Sequence, residues 1–124
     1  MSIVENIELA KKVLASGLDV LEFLAEDAVW LIPGFDTYQG KEEIYNKLLA
    51  PTHALIASMG TSVITNIVAQ GDYVVAESYA KDRITKTGKP YNNTYCHVYK
   101  ITDGLVQHIT EYADTALARK VFAG

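Results

Sequence analysis

Basic residues are in short supply: eleven Lys and Arg face fifteen Asp and Glu, a formal net charge of −4 with His neutral. No basic stripe offsets that balance, so nucleic acid is excluded as an expected partner. Cysteine is scarcer still. Cys96 stands alone, which rules out an intrachain disulfide and fits a reducing compartment. No apolar run approaches the ~20 residues that a membrane span needs. The first residues, MSIVENIELAKK, carry acids where a signal peptide needs an apolar core. These absences point to a cytoplasmic protein that neither crosses nor sits on a membrane. Metal-ligand spacing is missing as well. The histidines, His53, His97 and His108, form no His-x-x-x-His pattern, and Gly60 and Gly71 are isolated turn glycines rather than a phosphate loop. No metal and no cofactor are expected.

What the chain does have is a core. It is 124 residues long and 49% hydrophobic, enough for one domain spanning residues 1–124. Ser2 and Glu5 have capping-box spacing, and Ile3, Ile7, Ala10 and Leu14 form one apolar stripe, so a helix is predicted over 2–16, stopped by Gly17. A second short helix is predicted over 19–25. The run AVWLI (28–32) reads as a strand ended by Pro33-Gly34, and 37–40 as a short extended piece. Helical spacing resumes over 41–49, with Pro51 expected to break it and Thr52 to cap a further turn that Gly60 closes. Beyond Thr61 the pattern turns to strands: TSVITNIVAQ, then a long strand over 73–85, then a hairpin over 91–112. A closing helix over 115–122 has Asp114 as its N-cap. Helices first and consecutive antiparallel strands after give an α+β class, one curved sheet around a helix layer.

The hairpin decides the chemistry, because side chains alternate faces along a strand. A two-residue Asp103-Gly104 loop would pair Thr102 with Leu105 and send His97 and Glu111 to opposite faces. A three-residue loop, with Gly104 as a left-handed bulge, pairs Ile101 with Leu105 instead. The second is expected. It gathers Tyr91, Asn93, Tyr95, His97, Tyr99 and Ile101 with Leu105, Gln107, Ile109 and Glu111 on one wall. Cys96, Val98, Val106, His108 and Tyr112 go to the other.

On that wall His97 and Glu111 become cross-strand neighbours. A carboxylate beside an imidazole fixes its tautomer and stabilises its charged form, which suits proton transfer at a carbon next to a carbonyl. The competing reading is an ordinary surface ion pair. Tyr95 and Asn93 would donate hydrogen bonds to an oxyanion. Asp82, on the Ser78–Ala80–Asp82 face of its strand, is a further candidate acid if that face is concave. Trp30, Ile32, Tyr45, Leu48 and Met59 either line an apolar cavity or fill the core.

Four segments carry a family resemblance: LEFLAEDAVWLIPG (21–34), YQGKEEI (38–44), VAQGDYVVAES (68–78) and TGKPYNNTYCHVYKITDGLVQHITEYADT (87–115). In this order the chain resembles the SnoaL-like, polyketide cyclase-like branch of the nuclear transport factor 2-like superfamily, which also holds ketosteroid isomerase and limonene epoxide hydrolase. The resemblance implies a cone-shaped, curved antiparallel sheet of the cystatin-like kind, with N-terminal helices enclosing a cavity, and a homodimer through the outer sheet face. It places His97 and Glu111 where SnoaL-like cyclases have their histidine and acid, with Glu for Asp. Ile32 falls where ketosteroid isomerase has its general base. Ser78 and Ala80 fall where limonene epoxide hydrolase has Arg and Asp. Neither of those two chemistries is therefore expected.

The expected function is cofactor-free general acid–base catalysis, of the cyclase or isomerase type, on a small hydrophobic or cyclic organic molecule. The catalytic pair is His97 and Glu111. Trp30, Ile32, Tyr45, Leu48, Met59, Ser78, Asp82, Asn93 and Tyr95 contact the ligand. The alternatives are a non-catalytic binder of the same kind of ligand and a dimeric scaffold with a vestigial pocket. They share this fold because fold alone does not specify activity.

Overall fold

The computed structural model describes residues 2–122. It opens with α1 (Ile3–Ala15), whose first turn carries the expected capping box: Glu5 N–H donates to Ser2 Oγ, and Ser2 N–H to Glu5 Oε1, both at 3.1 Å. Ala10 on its apolar stripe, and Val13 beside that stripe, are buried against the sheet. A 3₁₀ turn, Leu18–Phe23, stands where a second helix was expected, and strand β1 (Leu24–Ile32) begins at once after it. Leu24 pairs with Val106, and that long-range pairing draws the apolar end of the turn into the sheet. Strand β2 (Asp36–Gln39) folds back on β1.

The next helical segment runs as α2 (Lys41–Glu43), one π turn (Ile44–Leu49) and α3 (Ala50–Leu55). Pro51 does not break it. Proline removes a backbone donor. The widened turn just before it already uses i→i+5 bonds, with Ala50 N–H on the Tyr45 carbonyl, and Pro51 falls in the first turn of α3, where the missing donor costs little. After Leu55 the chain becomes extended, so Gly60 closes no helix.

Five more strands follow the short β3 (Ile56–Ser58): β4 (Thr61–Gln70), β5 (Tyr73–Lys81), β6 (Ile84–Thr85), β7 (Thr94–Thr102) and β8 (Leu105–Ala113). Six strands form one curved sheet in the order β2-β1-β8-β7-β5-β4, while β3 and β6 pair separately. The sheet is mixed rather than wholly antiparallel, because β1 and β8 run parallel. Its concave face carries Val74, Ala76, Tyr99, Ile101, Val106 and Ile109, the centre of the core. Helix α4 (Thr115–Phe122) closes the chain, with Asp114 Oδ1 accepting from the N–H groups of Ala116 and Leu117 at 3.1 and 3.2 Å.

Two local distortions bear on the site. The β7–β8 loop has two residues, not three: Asp103 and Gly104 both take positive φ (54° and 77°), and Thr102 pairs with Leu105. That is the primed hairpin turn whose twist matches its strands. The extra residue sits further along. Ile101 pairs with Val106 but Lys100 pairs with His108, so Gln107 is a bulge. Val106 is consequently buried in the core and Leu105 exposed, the reverse of the expected placement. The second distortion ends β5. Asp82 has φ 59°, so the expected 73–85 strand breaks there, and the Asp82 side chain is exposed.

Candidate functional site

The Gln107 bulge restores the parity that the two-residue turn would have lost. His97 and Glu111 are directly paired across β7 and β8, on the concave face. Their side chains meet, His97 Nε2 to Glu111 Oε1, at 2.9 Å. His97 is buried and held between two rings two residues away on either side: Tyr95 at 5.4 Å between centroids and Tyr99 at 5.6 Å, the latter nearly parallel to it at 4°. The imidazole therefore has little freedom to turn. Its other nitrogen, Nδ1, is buried without a hydrogen-bond partner. A bare acceptor costs less there than an orphaned N–H, which favours Nε2–H donating to an ionised Glu111. No other partner of the Glu111 carboxylate occurs among the described residues.

The hollow beside this pair is a pocket of about 320 Å³, open at one side. Helix α1, the segment from the π turn to β3, and helix α4 supply its remaining walls. Trp30, Ile32, Leu48, Met59, Ser78 and Tyr95 border it, together with His97 and Glu111. Trp30 leaves its indole N–H buried and unpartnered. Burial raises the Tyr95 phenol well above its ordinary range, and the nearby Tyr91 and Glu111 add to the effect, so its hydroxyl stays neutral and able to donate. Burial likewise pushes up Tyr99 and, more weakly, Tyr38, with the Glu111 charge contributing to both.

Three expected ligand contacts lie elsewhere. Tyr45 is 39% exposed on the outside of the π turn, because the wider turn sends Ile44 and Leu49 inward instead. Asp82 points to solvent from its kink. Asn93 is fully buried but occupied: its Nδ2 donates to Tyr91 Oη and to the Asp114 carbonyl, and its Oδ1 accepts from Thr94 and Asp114 N–H. It ties the start of β7 to the entry of α4 and has no donor left for an oxyanion.

Arg83, Tyr38 and His53 border the pocket without having been expected there. The Asp82 kink reverses the alternation, so Arg83 turns inward where Asp82 was expected. Aspartate tolerates positive φ better than most residues, and Lys81-Asp82-Arg83 before a second short strand was the available signal. Arg83 is fixed by Nε donating to the Met59 carbonyl at 2.8 Å, and its Nη1 lies 3.4 Å from Tyr95 Oη. Among the described residues there is no group of three or more His, Cys, Asp or Glu placed to hold a metal ion, and no helix is long and apolar enough to cross a membrane.

A curved sheet wrapped on helices around a hollow is the nuclear transport factor 2-like fold. The chain belongs to the SnoaL-like domain family, whose model matches residues 17–109. No curated protein matches it. Among solved structures, it is similar over its whole length to a nuclear transport factor 2-like protein of unknown function from Burkholderia pseudomallei K96243, at 19% identity, full coverage of both chains and TM-score 0.79. A proposed isomerase from Bacillus subtilis is similar at 23% identity and TM-score 0.78, over 100% of this chain and 97% of that one. So is a proposed SnoaL-like polyketide cyclase from Jannaschia sp. CCS1, at 15% identity and TM-score 0.76, over 100% and 96%. At these identities the likeness is one of fold.

Proposed function

We propose that the protein is an enzyme that moves a proton at a carbon beside a carbonyl, in a cyclisation or isomerisation of a small cyclic organic molecule. The observation that carries this reading is the 2.9 Å contact between His97 and Glu111 on the wall of a largely apolar pocket. Glu111 takes the proton from carbon through its free carboxylate oxygen. His97 holds the other oxygen through Nε2–H and steadies the carboxylate as its charge changes. As the carbonyl oxygen gains negative charge, Tyr95 donates its hydroxyl to it. Arg83 Nη1, 3.4 Å from Tyr95 Oη, sets a positive charge beside that hydroxyl. The proton then returns from Glu111 to another carbon or to the oxygen, so no external oxidant, metal or cofactor enters the balance. The same reading keeps the chain in the cytoplasm, where an unpaired Cys96 stays reduced.

The test is proton–deuterium exchange next to the carbonyl of a panel of cyclic and aryl ketones in D₂O, followed by NMR. Wild type exchanges at least one member faster than buffer. Glu111→Gln loses about 100-fold or more and His97→Ala a similar factor, while both variants still bind the ketone. Equal exchange by Glu111→Gln and wild type removes the assignment. Binding without exchange across the whole panel leaves a binder in place of an enzyme.

A further inference from the structure

One charge on the pocket wall has no counterpart. Among the described residues bordering the pocket, Glu111 is the sole carboxylate and Arg83 the sole lysine or arginine. Glu111 is engaged by His97. Arg83 has no carboxylate within 4 Å among the described residues. Its neighbour Asp82 points away to solvent.

The placement of Arg83 is built. Gly60 takes a positive φ of 61° and lies so close to the Lys81–Asp82 backbone that a Cβ there would overlap the Lys81 carbonyl oxygen. That approach lays Met59 beside the kink, and the Met59 carbonyl then holds Arg83 Nε at 2.8 Å. The backbone of Arg83 is pinned as well: its N–H donates to Asn92 Oδ1 and its carbonyl accepts from Tyr91 N–H. A guanidinium ordered in this way, half-buried at an apolar hollow, is a preorganised receptor for an anion.

We propose that the pocket takes a compact planar anion, an aryl or cyclic carboxylate or an equally acidic enol, with its charged group on Arg83. Trp30, Tyr38, Tyr95 and Tyr99 border the hollow and suit a flat ring. The volume of about 320 Å³ lies at the small end of the ~300–1,000 Å³ common for ligand sites. The Tyr95 ring separates Arg83 from His97, so the two ends of the wall differ in sign. Glu111 repels the anionic group and Arg83 attracts it. The ligand is thereby oriented with its charge at Arg83 and its C–H bonds toward Glu111. This inference rests on the pocket being the ligand site of the proposed function, and not on turnover there.

The experiment is calorimetric titration with 2-naphthoate and its neutral isostere 2-naphthamide. Wild type binds naphthoate at least about tenfold more tightly, a preference that weakens with added salt. Arg83→Gln loses the preference and keeps naphthamide binding, and Arg83→Lys retains part of it. Glu111→Gln keeps or strengthens the preference, so loss of exchange activity in that variant and loss of anion selectivity in the arginine variants are separate results. If Arg83→Gln fails to fold by circular dichroism, the salt dependence in wild type and the Lys variant decide. Equal affinity for the two probes, selectivity that survives Arg83→Gln in a folded protein, or no naphthoate binding up to about 10 mM overturns the proposal.

Discussion

At the scale of single residues, the site consists of groups whose alternatives have been removed. His97 has one partner and two confining rings, Arg83 one carbonyl that fixes its direction, and Tyr95 a hydroxyl that burial keeps neutral. The tyrosines give a consequence in alkali. The pKa values of Tyr95 and Tyr99 are raised in the folded chain above the ordinary value of about 10. Their protonated forms thus contribute stability that is complete below about pH 10 and is lost as pH rises beyond it, because the unfolded chain releases those protons first. Tyrosinate absorbance is expected to show a late step that coincides with loss of near-ultraviolet circular dichroism. Tyr95→Phe is expected to shrink that step. Complete ionisation of all the tyrosines while the folded spectrum persists would contradict this.

At the scale of elements, parity governs the site. The Ser2–Glu5 cap, the strand 61–70 and the Asp114 start of α4 were legible because they follow local rules, and the hairpin expected over 91–112 forms as β7 and β8. The shared face of His97 and Glu111 was expected too, but through a different cause. The turn lacks the extra residue and Gln107 carries it. No local signal marks Gln107, because a bulge is favoured by what the next strand must bury. Here it brings Ile109 into the core and Glu111 to the pocket. Asp82 made the opposite error. There a single kink moved the expected acid outward and brought Arg83 in. Tyr45 lies outside the pocket because the π turn changes the phase of its helix and turns Ile44 and Leu49 inward. The role of Gln107 is testable by contrast. Gln107→Ala keeps the residue count and is expected to cost less than about 1 kcal/mol in urea unfolding. Deleting Gln107 either expels Ile109 and Glu111 or strains the hairpin, and is expected to cost about 3 kcal/mol or more. Equal costs for the two changes would mean that the bulge sets no register.

At the scale of the molecule, nothing among the described residues covers one face of the sheet. Val68, Tyr73, Tyr79 and Tyr112 stand on its convex side, each at least 38% exposed, beside Val75 and Val98. Monomers seldom leave an apolar strip of this extent to water. We propose that a second copy of the chain covers it in a symmetric pair. Native mass spectrometry is then expected to give twice the 13.6 kDa chain mass, and Tyr79→Glu with Tyr112→Glu to split the pair. A monomer at micromolar concentration would refute the arrangement.

The parallel pairing of β1 with β8 has its own consequence, in time rather than in space. It joins residues 24–31 to residues 106–110, so the hollow lacks this part of its wall until β8 has left the ribosome. Such distant pairings slow folding. During synthesis Trp30 must wait for Ile109, its partner on β8, and a transcript cut short before that strand yields a chain in which His97 has no Glu111 to meet.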